Sequence, residues 1–254
     1  LVTGASRGIG KAIGLALGQA GCIVVGTATT DKGAQSITDF LVDAGVAGRG
    51  YALDVTNAEQ VIGVVKQIAD DFLSSGKPIV IVEANNGRRE RTVASSNGIF
   101  EKGSLYVLVD ENSASASEVI AGAIQDNDRG WIIGRRTFGK GLVQQQMPLG
   151  EGDQIRLTTA RYFTPTGRSI QRPYDLSTKS EYYAEVQQRF ETGEMENSSN
   201  IPVNDSLEFM TPSGRKVYGG GGISPDIFVP YDNLYCMNCC NCNISNAKQI
   251  LFFL

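Results

Sequence analysis

Short apolar runs alternate with stretches of helical periodicity through the first seventy residues, and that alternation leaves few folds open. Leu1-Val2-Thr3 reads as the end of a buried strand, Lys11 to Gln19 as a helix, and Cys22 to Thr27 as a second apolar strand. Ala34 to Leu41 is then expected to be helical and Gly50 to Val55 a third strand. Ala58 to Phe72 is expected to be a helix with Val61, Val64, Val65, Ile68 and Phe72 on its apolar side. Strands separated by helices cannot pair as hairpins. They line up in parallel with helices on the faces, so the chain begins as an α/β fold.

The pattern changes beyond Phe72. Pro78 to Val82 and Leu105 to Val109 are short apolar strands, separated by a charged stretch, Arg88-Arg89-Glu90-Arg91, that is expected to be exposed. Ser115 to Gln125 is a helix candidate, with strands following at Trp131 to Gly134, Leu142 to Gln146 and Ile155 to Phe163. Glu181 to Phe190 is a further helix, and Gly219 to Gly222 a turn before Pro225 and Pro230. With 254 residues, 41% of them hydrophobic, the chain has material for one large domain or two small ones.

Composition excludes more chemistry than it suggests. The chain has no histidine, which removes every Ser-His-Asp or Cys-His nucleophile, every imidazole metal ligand and every histidine acid or base. Any hydrolytic chemistry must use another base. The net charge of −4 comes without a basic patch of nucleic-acid size, so no nucleic-acid partner is expected. No run approaches the ~20 apolar residues of a membrane span, and no transmembrane segment or export signal is expected in this sequence. Cys236, Cys239, Cys240 and Cys242 crowd together near the C-terminus but lack the distant second ligand pair of a structural zinc site. No metal is assigned to them. With Asn238, Asn241, Asn243 and Asn246 interleaved, they are expected to belong to a disordered tail.

Thr3-Gly4-Ala5-Ser6-Arg7-Gly8-Ile9-Gly10 stands between a strand and a helix, where glycines permit a tight turn and close backbone approach to a pyrophosphate. With the run Gly26 to Thr30 and Leu53-Asp54-Val55-Thr56, this start resembles the short-chain dehydrogenase/reductase family, closest to its 3-oxoacyl-acyl-carrier-protein reductases. The resemblance covers about residues 1–70 and implies a partial Rossmann-like βαβα lobe. It implies phosphate contacts for Gly4, Ser6, Arg7, Gly8, Ile9 and Gly10, with Arg7 favouring NADP, and places Asp54 and Val55 beside the adenine. The family's Tyr-x-x-x-Lys is absent, because no tyrosine here has a lysine four residues on. Hydride transfer would then lack its proton donor. The reading preferred for this lobe is a phosphate-type turn without a dinucleotide, and NADP binding is the alternative.

Asp110-Glu111-Asn112-Ser113-Ala114-Ser115-Ala116-Ser117-Glu118 is followed, 25 residues after Ser115, by Lys140 within Thr137-Phe138-Gly139-Lys140-Gly141. In a chain without histidine, serine and lysine are the available nucleophile and base, since desolvation favours the neutral amine. These segments resemble the C-terminal processing, or tail-specific, proteases. Val143-Gln144, Leu157 to Gln171 and Gly222-Ile223-Ser224-Pro225-Asp226 continue the resemblance in order, over roughly Gln67 to Pro230. It implies Ser115 as nucleophile, Lys140 as general base, Gln144 as the residue orienting the lysine, and the Ala116 backbone N–H as an oxyanion donor. If Lys140 and Gln144 share a strand, a spacing of four puts them on one face. Ser115-Ala116-Ser117-Glu118 also has the form of a capping box, in which Ser115 would merely start the helix. Asp126, about 16 Å along that helix from Ser115, reads as structural.

The family's second oxyanion donor comes from an Asp-Leu-Arg-x-Asn-x-Gly-Gly stretch, whose place is taken here by the reductase-like segment. Its peptide-binding PDZ module has no counterpart. The expected organisation is therefore a truncated Rossmann-like fragment at 1–66, the mixed α/β core of a tail-specific protease at 67–230, and a Cys/Asn-rich tail at 231–254. The expected function is a serine endopeptidase of Ser/Lys type, impaired to the extent that the missing oxyanion loop is not replaced, that needs no cofactor and acts on unstructured or C-terminal protein segments; the alternatives are an NADP-binding reductase fragment and a non-catalytic chimera. The protease resemblance implies a periplasmic or extracellular site of action; the reductase-like segment, a cytoplasmic one.

Overall fold

The computed structural model describes residues 2, 4–54, 58–96, 98–173, 179–231 and 249–253. Its elements run α1 (Gly8–Gln19), β1 (Val24–Ala28), α2 (Asp31–Asp43), β2 (Gly48–Ala52) and α3 (Ala58–Asp70). The alternation read from the sequence is thus present. β1 and β2 pair in parallel, and Val2 bridges to Gly26, also in parallel. Thr30 starts α2 by accepting the Gly33 N–H at 3.1 Å. β1 is covered on both faces, which explains its unbroken apolar run. Val24 and Ala28 pack with Ile37, Phe40 and Leu41 of α2, whereas Val25 points into a second, larger core.

That larger core belongs to the elements that follow: β3 (Pro78–Ala84), β4 (Arg89–Val93), β5 (Ser104–Val109), α4 (Ala116–Asp126), β6 (Trp131–Gly134), β7 (Leu142–Gly150), β8 (Asp153–Phe163) and α5 (Lys179–Glu191). The short strands β9 (Glu208–Met210), β10 (Lys216–Tyr218) and β11 (Ile227–Phe228) precede β12 (Gln249–Phe253). An antiparallel sheet has the order β4-β3-β8-β7, and a parallel one the order β11-β6-β5-β12. The fold is mixed α/β, as expected. Val64, Val65 and Ile68 of α3 pack in one cluster with Leu105 and Val107 of β5 and Ile120 and Ile124 of α4. α3 is therefore part of the same core that receives Val25 and Leu53 from the N-terminal lobe.

Two sequence expectations are corrected. The stretch Arg88 to Arg91 is exposed but regular: residues 89–93 form β4, paired antiparallel with β3. Its charges lie outward on an edge strand, where they discourage further pairing and also hide the strand from a search for apolar alternation. The tail is not wholly unattached, because residues 249–253 pair in parallel with Ser104 to Leu108 of β5. Cys236, Cys239, Cys240 and Cys242 lie outside the described residues.

One buried contact ties the lobes together. Tyr51 Oη on β2 donates to Asp71 Oδ2 just beyond α3 at 2.5 Å, and Arg49 Nη2 stands 3.3 Å from Asp71 Oδ1. Burial raises the pKa of the Asp71 carboxyl, while Tyr51 and Arg49 pull it down. Tyr51→Phe removes one of these partners and is expected to lower stability by about 1–2 kcal/mol, read as a shift in urea midpoint at unchanged slope.

Candidate active site

The segment before α4 is shaped by Asp110, whose Oδ1 accepts the N–H groups of Asn112 at 2.9 Å and Ser113 at 3.0 Å. This turn delivers Ser115 to the helix start with φ 57° and ψ −107°. A residue with a Cβ rarely holds that conformation, and such outliers collect at functional sites. Among the described residues no acceptor within the chain takes the N–H of Ala116, the first residue of α4.

Glu118 explains how the strained turn is held. Its side chain is 0% exposed, and it accepts four hydrogen bonds that join two distant segments. Oε2 takes the Ser115 N–H and the Lys140 N–H, each at 2.8 Å. Oε1 takes the Thr137 hydroxyl at 2.5 Å and the Gly139 N–H at 2.7 Å. The same carboxylate thus fixes the backbone on both sides of the serine–lysine pair. Burial pushes its pKa above the ordinary carboxyl value, and the four donors act in the opposite direction. The sequence shows only the local half of this arrangement, the capping box.

The lysine loop has further constraints. The Phe138 N–H donates to the Ser113 carbonyl at 2.9 Å. Gly139 holds φ +87°, and a Cβ on Gly141 would lie 2.9 Å from the Gln171 nitrogen, so both neighbours of Lys140 must be glycine. Behind the loop, Arg136 makes a paired contact with Glu194 at 2.8 Å through both Nε and Nη2, and Arg189 donates to the Arg136 and Thr137 carbonyls.

Ser115, Ala116, Lys140 and Gln144 all line one cavity of about 770 Å³. Part of the wall comes from the N-terminal side of the chain: Asp54, and Val61, Ile62, Val65 and Lys66 of α3. Every residue from Leu142 to Met147 borders the cavity as well. Alternate side chains of a strand point to opposite faces, so six consecutive lining residues mean that β7 presents its edge. β7 is the outer strand of its sheet, and among the described residues that edge is unpaired. Tyr162 closes part of the floor, its phenol pushed up to about 12 by burial and therefore neutral.

The reason expected for pairing Lys140 with Gln144 does not hold. β7 begins at Leu142, and its register with β8 shifts between Val143 and Gln144, so the two residues do not share a regular strand face. They reach the same cavity because Lys140 enters from the loop before the strand. The glycine-rich turn lies elsewhere, since none of Gly4, Ser6, Arg7, Gly8, Ile9 and Gly10 lines this cavity. Gly4 and Gly8 take φ of +64° and +57°, and a Cβ on Gly10 would stand 2.5 Å from the Gly4 carbonyl oxygen. The turn accordingly needs glycine for its own geometry. Asp54, expected beside an adenine, lines the same cavity as Ser115; Val55 lies outside the described residues. Asp126 sits at the far end of α4, where it is 2.7 Å from buried Arg168 and accepts from Thr166. Among the described residues no cluster of acidic residues and cysteines is able to hold a metal ion.

Residues 60–176 match the model of Peptidase family S41. A carboxy-terminal-processing protease of Bartonella bacilliformis is 41% identical over 128 residues, which cover 48% of this chain and 29% of the relative. A chloroplastic C-terminal processing peptidase of Tetradesmus obliquus is 39% identical over 145 residues, covering 57% of this chain and 30% of the relative. The chain thus spans about three tenths of the length of these curated relatives. Among solved structures, a photosystem II D1 C-terminal processing protease is similar over 80% of this chain and 40% of its own, at 27% identity and a TM-score of 0.45.

Proposed function

We propose that the chain is a serine peptidase that cleaves protein segments near their C-termini through an acyl-enzyme on Ser115. The observation that carries this reading is the shared cavity in which strained Ser115 faces the same space as Lys140, with Glu118 bonded to the backbone of both. Lys140 Nζ takes the proton of Ser115 Oγ as that oxygen attacks the scissile carbonyl carbon. The Ala116 N–H, at the positive end of α4, donates to the developing oxyanion. When the C–N bond breaks, the lysine passes its proton to the leaving amine. It then deprotonates a water that hydrolyses the ester and frees Ser115. Gln144 orients the lysine amine, and no cofactor enters any step.

Likeness to the processing proteases supports this assignment over residues 60–176, and the free edge of β7 suits an extended, unfolded substrate that adds its backbone as a further strand. The N-terminal segment is read as a reductase-like lobe recruited to wall the cleft, with residues 1–66, 67–230 and 231–254 as lobe, catalytic core and tail. Likeness to the processing proteases supports a working compartment in the periplasm or outside the cell. Purified chain should hydrolyse casein, and Ser115→Ala should remove that activity. Casein left intact by folded wild-type protein, or cut equally well by the variant, would sink the assignment.

A further inference from the structure

The charged groups lining the cleft are unbalanced. Among the described residues Lys66, Lys140 and Arg156 line the cavity against a single carboxylate, Asp54, although the chain as a whole carries −4. Lys140 is taken up by the proposed chemistry. Lys66, half-buried, comes from α3, and Arg156, exposed, from β8, where it pairs in register with Gln146 of the edge strand. Among the described residues neither Lys66 nor Arg156 has an ion pair or a side-chain hydrogen bond. Two cations left unpaired in a concave, partly apolar site hold a field that an acidic ligand relieves. A carboxylate there gains charge-assisted hydrogen bonds that it lacks at an ordinary protein surface.

We propose that Lys66 and Arg156 form a carboxylate-recognition subsite of this cleft. The inference rests on the peptidase reading and adds a selection rule to it. Arg156 pairs with Gln146, four residues into β7, which begins at Leu142. A substrate lying beside β7 therefore presents its carboxylate at the Gln146 level of that edge. The carboxylate is either the free end of the chain or an Asp or Glu side chain at that position.

The test uses the Ser115→Ala protein, so that binding is read without turnover, and three fluorescein-labelled twelve-residue peptides followed by anisotropy. The first has neutral side chains and a free C-terminal carboxylate, the second is the same peptide amidated, and the third is amidated with one Glu near its end. At least one acidic peptide should bind about tenfold more tightly than the neutral one, with the advantage shrinking as salt is raised. The first peptide winning identifies the chain end as the source; the third, a side chain. Adding Lys66→Met or Arg156→Met should erase the advantage, and Lys66→Arg should restore most of it. Equal binding of all three peptides, no binding by any, or an advantage that survives both methionine changes overturns the proposal. Because no bond is cut, the carboxylate preference stays measurable even where the casein assay fails.

Discussion

Lys140→Met is expected to slow peptide hydrolysis about 10⁴-fold while leaving the unfolding free energy within about 0.5 kcal/mol of wild type. Methionine keeps the length and apolar stem of the side chain but removes the only proposed proton acceptor. Among the described residues the Lys140 side chain has no hydrogen bond or ion pair, so folding loses little with it. The backbone N–H of residue 140, which Glu118 does hold, is retained. Combining Lys140→Met with Ser115→Ala should cost no more activity than the worse single change, because nucleophile and base act as one unit. Rates from purified variants, with thermal unfolding alongside, decide the matter. Additive losses would mean that the two residues act in separate steps.

Glu118→Ala is expected to be the most damaging change to stability at the site, at about 3–5 kcal/mol, which for a chain of this size lowers the melting temperature by roughly 10 °C. The cost arises less from the lost carboxylate than from the groups it leaves behind. The N–H groups of Ser115, Gly139 and Lys140 and the hydroxyl of Thr137 would all lose their acceptor in a place water does not reach. Glu118→Gln preserves one acceptor oxygen and should fall between alanine and wild type. The two glutamate variants also differ from wild type in their pH response. Since burial raises the Glu118 pKa above the ordinary carboxyl value, the stability contributed by its protonated form is complete below that ordinary value. It is lost as pH rises through the folded-state pKa. Wild type should therefore lose stability relative to Glu118→Gln as pH is raised from the ordinary carboxyl range toward neutrality, and a pH-independent difference would contradict the direction of the shift.

The strand–helix alternation was legible because hydrophobic period reports burial directly: β1 is apolar throughout because both its faces are covered, and α3 shows a 3.6-residue period because one side enters the core. β4 was not legible, since its exposed Arg89, Glu90 and Arg91 carry no burial pattern. Ser115 and Lys140 are singled out in the sequence by the resemblance of their flanking segments in a chain without histidine, and the structure brings them to one cavity. The partners that organise them are not. Glu118 shows a local capping pattern, while its bonds to Thr137, Gly139 and Lys140 span 19 to 22 residues and exist only once two loops meet. Asp54 was assigned by analogy to a nucleotide, whereas the packing of α3 turned that segment into a wall of the cleft. The register shift before Gln144 breaks the simple period on which a same-face argument depends.

The backbone at position 115 has an evolutionary corollary. With φ at 57°, the residue that best suits this point of the chain is glycine, and any side chain there is disfavoured by about 1 kcal/mol. Drift toward greater stability would erase the serine, and every generation that keeps it accepts a slightly less durable protein in exchange for a hydroxyl on a residue that lines the cleft. Lineages that no longer needed the hydroxyl would be free to take glycine, so the identity of this one residue across descendants would record whether the chemistry is still in use.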